Sequence, residues 1–221
     1  VQFGYTSAGR YTSWNDIWSY PGYKERDILP GDYKYEDWNG DGEINGQDEH
    51  PFAFDQTPWL QFSLNAGLQW KNLDFNMLLQ GSALGSMEYK EPLHEIWGKN
   101  GGGALTQFLD RWHPVDPKAD PYDPSTVWTS GHYAYTGRWA KNNSAFNRVS
   151  TAYLRLKSIE LGYTFPKLKQ IPNASLRIYA NAYNLLTFTG VKFVDPEHPD
   201  DDLGRMYPLN KTYTLGVSLS F

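Results

Sequence analysis

Apolar and polar residues alternate with a period of two in five stretches of the chain. From Leu60 to Trp70 the even positions are Leu60, Phe62, Leu64, Ala66, Leu68 and Trp70, and the odd ones Gln61, Ser63, Asn65, Gly67 and Gln69. Leu73, Phe75, Met77 and Leu79 alternate with Asp74, Asn76, Leu78 and Gln80, although Leu78 interrupts the polar set. Tyr153 to Phe165 ends with Ile159, Leu161, Tyr163 and Phe165 set against Glu160, Gly162 and Thr164. Leu176, Ile178, Ala180 and Ala182 are set against Arg177, Tyr179, Asn181 and Tyr183, and Tyr213, Leu215, Val217, Leu219 and Phe221 against Thr214, Gly216, Ser218 and Ser220. Successive side chains of a strand point to opposite faces. Five strands are therefore predicted, about 60–70, 73–82, 153–165, 176–188 and 213–221, each apolar on one side. The two residues Lys71-Asn72 suit a tight antiparallel hairpin between the first pair.

Strands of this length match what a tilted strand needs to cross a bilayer, about 9–11 residues. A soluble β-sandwich alternates in the same way. The connections separate the two readings. They are short at 71–72, about 70 residues long at 83–152, short again at 166–175, and longer at 190–211. A structureless loop of that size is uncommon in a compact soluble domain, whereas outer-membrane barrels pair tight periplasmic turns with long extracellular loops. With the last strand running towards the periplasm, strand parity puts both short connectors on the periplasmic side. Aromatic residues then fall at both predicted interfaces: Trp70, Tyr163, Phe165 and Phe221 at periplasmic ends, and Trp59, Phe188 and Tyr213 at outer ends. The expected fold is all-β, a transmembrane antiparallel β-barrel. Residues 1–58 form an extracellular loop region, and 59–221 carry the strands with extracellular loops at 83–152 and 190–211. Five strands are too few to close, because a small barrel needs about eight.

Composition narrows the options further. The 221 residues carry 20 Lys+Arg and 25 Asp+Glu, a net charge of −5, with no basic run to track a nucleic-acid backbone. The absence of Cys removes disulfides, cysteine zinc sites and thiol nucleophiles. A 16% aromatic content, with 9 Trp and 16 Tyr, argues against disorder. No stretch approaches the apolar length of a membrane helix, and Val1-Gln2-Phe3-Gly4 shows no signal-peptide pattern. There is no HExxH, G-x-S-x-G, Walker loop or GxGxxG, so a non-enzyme is expected.

The segment PGDYKYEDWNGDGEINGQD at Pro30 to Asp48 resembles the "PGDIKYKDxNGDGxIxxxD" stretch of SusC-like TonB-dependent outer-membrane transporters (the SusC/RagA family of Bacteroidetes). STAYLRLKSIELGYTFP at Ser150 to Pro166 is similar to that family's "YLRLKNIxLGYxLP", and Leu176 to Thr189 to its "LRxYxxxxNLxTFT". Asp195-Pro196-Glu197, Tyr207-Pro208 and Tyr213 to Phe221 match its "DPE…YP…R…GxxxxF" ending. Lys211 stands where the family usually has Arg, and residues 1–29 carry no alignable motif. The resemblance implies the C-terminal strands of a 22-stranded barrel. It also implies energised import, with TonB acting through a plug domain outside this chain. A SusD-like surface lipoprotein would be the partner, together with the remainder of the barrel and outer-membrane lipid. Oligosaccharide cargo is expected, with oligopeptides as the alternative. A soluble calcium-binding adhesion or dockerin-like module, and a secreted glycan-degrading enzyme, are the readings from other classes.

Two sets of candidate site residues stand out. Asp37, Asn39, Asp41, Gly42, Glu43 and Asp48 occupy positions 1, 3, 5, 6, 7 and 12 of a calcium loop, which supplies oxygen donors at this spacing and a glycine for the sharp turn. A structural Ca2+ held by Asp37, Asn39, Asp41, Glu43 and Asp48 is expected, against the plainer reading of an acidic Asn-Gly/Asp-Gly turn. In the long loop, Trp97, Trp112, Trp128, Tyr133, Tyr135 and Trp139 offer aromatic faces for a glycan or peptide ligand; such rings also pack interfaces. Asp195, Glu197, Asp200, Asp201 and Asp202 are expected at a solvated loop tip, and no nucleic-acid partner is expected.

Overall fold

The computed structural model describes all residues except 22–27, 91–92, 95–104, 136–139, 141–142, 167–173, 198–205 and 208. In chain order the elements are β1 (Gln2–Gly4), β2 (Ser7–Arg10), α1 (Trp14–Ser19), β3 (Tyr33–Tyr35), β4 (His50–Ala53), β5 (Leu60–Trp70), β6 (Leu73–Ala83), β7 (Ser86–Glu88), β8 (His113–Pro114), β9 (Trp128–Thr129), β10 (Arg148–Ser150), β11 (Tyr153–Phe165), β12 (Ser175–Thr189) and β13 (Thr212–Ser220), with single 3-10 turns at Gly46–Asp48 and Thr106–Leu109. No helix among the described residues is long and apolar enough to cross a membrane.

Two compact units emerge. The sheet unit comprises Thr57–Gly85, Ser150–Glu197 and Tyr207–Phe221; the loop unit takes Val1–Gln56, Ser86–Val149 and Met206 from the described residues. The sheet unit is one antiparallel sheet in the order β13-β12-β11-β6-β5, so β5 and β13 are its edges and the described strands do not close on themselves. Lys71, at φ 54°, makes the left-handed step that the two-residue turn between β5 and β6 requires.

Register fixes which side chains share a face. Leu68 lies opposite Phe75, Phe75 opposite Leu161, Leu161 opposite Ala180, and Ala180 opposite Leu215. The row Ala66, Met77, Ile159, Ala182 and Tyr213 lies beside it. One face is thus apolar across all five strands, and it is uncovered: Leu68 is 65% exposed, Leu215 77% and Val217 67%. The opposite face carries Asn76, Glu160 and Asn181 in one row and Asp74, Gly162 and Tyr179 in the next.

Two features of the sheet depart from the simple alternation. Between Leu156 and Ser158, β11 holds an extra residue, Lys157, relative to β6, and the pairing with β12 also shifts there. A bulge of this kind accommodates one unpaired residue and resets the phase of the pleat. Tyr213 also differs from its expected place. It opposes Ala182 in the middle row of the sheet, because β13 has 9 residues against 15 in β12 and starts opposite Tyr183. At the other predicted interface Trp70, Tyr163 and Phe165 do cluster near the short turn, with Tyr163 and Phe165 ring to ring at 4.8 Å.

Glycines shape the polar face. A Cβ at Gly216 would lie 2.3 Å from the Tyr179 ring, and one at Gly162 would lie 2.5 Å from the Arg177 guanidinium. Each glycine is a slot that receives a large neighbour from the next strand.

The loop unit is built differently. Its strands have two to four residues and pair two by two: β1 with β4, β2 with β3, β7 with β10 and β8 with β9. Such short ladders do little alone, so aromatic packing holds the unit together. Tyr5, Tyr35 and Ile44 form a buried cluster with Tyr33 and Phe146 packed against it. The Arg10 guanidinium lies 4.1 Å above the Tyr33 ring.

Candidate functional site

The loop 37–48 closes on its own backbone. Asp37 accepts from the N–H groups of Gly40 and Gly42, at 2.8 and 2.9 Å. Asn39 accepts from Asp41 N–H and Asp41 from Glu43 N–H. Asp48 is fully buried; it accepts from Trp38 N–H at 2.9 Å and Asn45 N–H at 2.7 Å, and joins Asn45 in a capping box over the 3-10 turn. Gly40 and Gly42 take φ of 73° and 84°, and Ile44 anchors the loop in the Tyr5–Tyr35 cluster. The Glu43 N–H and the Asn39 side chain hold the Asp41 carboxyl below the usual carboxylate range. Among the described residues no three His, Asp or Glu side chains gather closely enough to hold a metal. As arranged, Asp37, Asn39, Asp41 and Asp48 direct side-chain oxygens to backbone N–H groups of their own loop.

The aromatic candidates separate. Trp97 and Trp139 lie outside the described residues. Trp112 and Trp128 come together with Thr12, Ser13, Trp14, Pro30, Pro124, Thr126, Val127 and Ser130 around a cavity of about 330 Å3 in the loop unit. Trp128 reaches it from β9, packed edge-on against Tyr135 at 5.3 Å. Tyr133 instead packs on Phe108 at 4.6 Å, and burial pushes its hydroxyl up to about 12. Trp14, on α1, was not among the sequence candidates: it lies in the N-terminal stretch without motifs, some 100 residues before Trp112 and Trp128 in the chain.

Ser13 caps α1 by accepting from Asp16 N–H at 3.2 Å. Partial burial works to raise the Asp16 carboxyl, but hydrogen bonds from Lys34 and Thr12 outweigh it and hold the group below the usual range. Lys34 bridges to Asp16 at 2.7 Å and lies 4.0 Å over the Tyr20 ring. Burial raises the nearby Tyr11 hydroxyl to about 12. His94, elsewhere in the unit, is lowered to about 4 by burial and is neutral at pH 7.

Two charged clusters that sequence reasoning missed lie on the polar side of the sheet. Arg155 is 1% exposed; it pairs with Asp195 and Glu197, bonds Thr187 through Nε at 3.0 Å, and Glu197 also accepts from the Tyr153 hydroxyl. Asp195 and Glu197 are therefore not a solvated tip, as their sequence neighbourhood suggests, but partners of a buried cation. Asp200, Asp201 and Asp202 lie outside the described residues. Nearer the short turn, Arg177 pairs with both Asp74 and Glu160. Each cluster sets one arginine between two carboxylates, and Arg155 is the deeply buried member, where a partner is obligatory.

Comparison with known proteins supports the sequence resemblance. No protein-family model matches the chain. It is 28% identical over 211 residues, 88% of its length, to TonB-dependent receptor P3 of Formosa agariphila, and 28% identical over 206 residues to TonB-dependent receptor P26 of the same organism. The chain spans about a fifth of those relatives, 19% and 20% respectively. Among solved structures it matches the RagAB peptide transporter with a TM-score of 0.61 at 22% identity, covering 86% of this chain and 19% of that one. The RagAB peptide importer in its open-open state matches with a TM-score of 0.61 at 20% identity, covering 99% of this chain and 22% of that one. The chain is thus similar to part of a TonB-dependent receptor in sequence, and the RagAB structures share its fold.

Proposed function

We propose that this chain is the C-terminal barrel segment of an outer-membrane, TonB-dependent nutrient importer. One observation carries the reading: an apolar face continuous across five antiparallel strands and left uncovered. In water such a face is a large exposed patch; against lipid tails it is the solvent-matched side of a barrel wall. The polar face then looks into the enclosed interior, where Arg155 and Arg177 find their carboxylate partners. The free edges of β5 and β13 are where the other strands of a 22-stranded barrel would pair, since a membrane leaves no sheet edge unsatisfied. Nothing in this arrangement calls for an enzymatic step. The loop unit faces outside the cell, TonB acts through a plug domain elsewhere in the protein, and a SusD-like lipoprotein works with the loops.

Oligosaccharide is the cargo that the sequence resemblance implies. Oligopeptide cargo is the second reading, and the RagAB peptide transporter among the fold neighbours favours it. Trp112, Trp128, Tyr133 and Tyr135, with Trp97 and Trp139, remain proposed ligand contacts. Structural calcium at 37–48 is proposed on the spacing of its oxygen donors alone, and binding would require Asp37, Asp41 and Asp48 to turn from their present N–H partners. Calcium should then raise the thermal midpoint and lower proteolysis at this loop; an unchanged midpoint in chelator assigns the loop to its own hydrogen bonds.

The test of the main reading is fractionation of cells expressing the full-length protein. Outer-membrane recovery, a detergent requirement, heat-modifiable gel migration and co-purification of a surface lipoprotein are expected. A protein that is monodisperse in buffer without detergent would refute it.

A further inference from the structure

The stretch 191–197, which follows β12 within the sheet unit, is tied back to β11 at two points. At its start the Thr189 hydroxyl donates to the Ala152 carbonyl at 2.9 Å and accepts from Val191 N–H at 3.2 Å. At its end Asp195 and Glu197 converge on the Arg155 guanidinium, and the Tyr153 hydroxyl donates to Glu197 at 2.8 Å. Asp195 also accepts from Glu197 N–H at 3.0 Å, which sets the two carboxylates as a pair. Between the ties Phe193 takes a φ of 71°, a left-handed backbone that a bulky residue avoids, and it is 58% exposed. Val191 and Pro196 are the buried members of the stretch.

A backbone held in such a conformation persists only where its surroundings over-determine it, and it marks clamps and switch segments. Here the determining contact is concentrated on one side chain. Arg155 is 1% exposed and belongs to a strand paired on both sides, whereas its partners Asp195 and Glu197 keep 24% and 35% of their side-chain surface in contact with solvent. The carboxylates therefore sit at the water's edge, and pulling them away would let water reach both them and the guanidinium, so neither charge would be stranded. We propose that 191–197 is a latched strap with two states. Docked, it sets Asp195 and Glu197 on Arg155 and holds Phe193 in its strained backbone. Released, it relaxes at Phe193 and bares the Arg155 guanidinium and the Tyr153 hydroxyl to the polar side, while β11 and β12 keep their pairing. The strap's own carboxylates thus occupy donors that the released state would offer to another acceptor. The strap rests on the importer proposal only for its placement on the outer side, within reach of reagents added to cells.

Val191→Cys, in the full-length protein otherwise freed of cysteine, places a thiol that the docked strap buries. The rate at which a membrane-impermeant maleimide modifies it reads release, both in purified protein in detergent and on intact cells. Arg155→Met removes the latch without leaving a buried charge and should raise the rate on the order of 100-fold. Tyr153→Phe takes one hydrogen bond from Glu197 and should raise it about 10-fold; it carries the test if Arg155→Met does not fold. Phe193→Asn accepts a left-handed backbone more readily and should lower the rate by about 3-fold, the opposite sign to the loss of a packed ring. A heat-modifiable form at the labelling temperature certifies that the barrel is intact. The proposal is overturned if folded Arg155→Met or Tyr153→Phe labels at the parent rate, or if Phe193→Asn labels faster. The predicted order in detergent with no labelling on intact cells keeps the strap and removes its outward placement. Labelling on intact cells at one rate in every variant removes the strap and leaves that placement.

Discussion

The sheet unit and the loop unit use the same kinds of residue in opposite ways. In the sheet, leucines, valines and rings point outward across a broad face, while the buried positions include Arg155, Ser82 and Thr151. In the loop unit, rings point inward around Tyr5, Tyr35 and Ile44, and the charges that are buried there, such as Asp48, are held by backbone N–H groups. One chain therefore contains a sheet with an uncovered apolar face and a loop unit with an aromatic core, a contrast that the importer proposal accounts for by placing the first against lipid and the second in water.

Four perturbations bear on this contrast. The largest effect is expected from removing both partners of Arg155. An Asp195→Asn/Glu197→Gln double variant leaves a nearly inaccessible cation without a counter-charge, at about 3–5 kcal/mol. The midpoint of heat-modifiable migration should fall sharply, and an unchanged midpoint would mean that water reaches the site. Next, Met77→Arg puts a charge in the middle row of the apolar face and should cost about 2–4 kcal/mol in lipid. Asn76→Arg, one residue away on the polar face, should cost far less; equal penalties would erase the distinction between the two sides.

Asp48→Ala tests the loop unit, where at least two backbone N–H groups would lose a buried acceptor, at about 2 kcal/mol. Faster proteolysis between Trp38 and Asn45 is the expected readout, with the sheet unaffected. The smallest effect concerns pH. His94 is neutral in the fold, lowered to about 4 by burial, whereas an unfolded chain protonates it near pH 6.5. Its contribution is complete above about 6.5 and is lost progressively as pH falls towards 4, because only the unfolded state gains a proton in that window. The loss in the loop unit should stay below the roughly 3 kcal/mol that the whole gap would give, and His94→Phe should flatten the dependence.

The sheet was legible because its residues repeat with the pleat, throughout the edge strands β5 and β13 and over most of β6 and the first half of β12. In β11 the rhythm breaks at Lys157, which is why alternation was evident only from Ile159 onwards. Tyr213 misled because its distance from the end of the chain does not reveal that its partner is Ala182. In the loop unit, strands of two to four residues are too short to express any period, so 1–58 and 83–152 were expected to be loops. The spacing of Asp37 to Asp48 identified an oxygen-rich turn, but spacing does not say whether those oxygens face an ion or an N–H. The cavity was half visible: Trp112 and Trp128 were candidates, while Trp14, Pro30 and the Ser13 cap reach it only through the folding of distant segments.

The glycine slots under Tyr179 and Arg177 set the texture of the polar side of this sheet. With Gly216 and Gly162 taking up their bulk, these long side chains can lie flat like tiles instead of standing out as posts. A single methyl group at Gly216 would push the Tyr179 ring off the sheet and roughen that face, leaving the hydrogen-bond ladder and the chain's charge as they were.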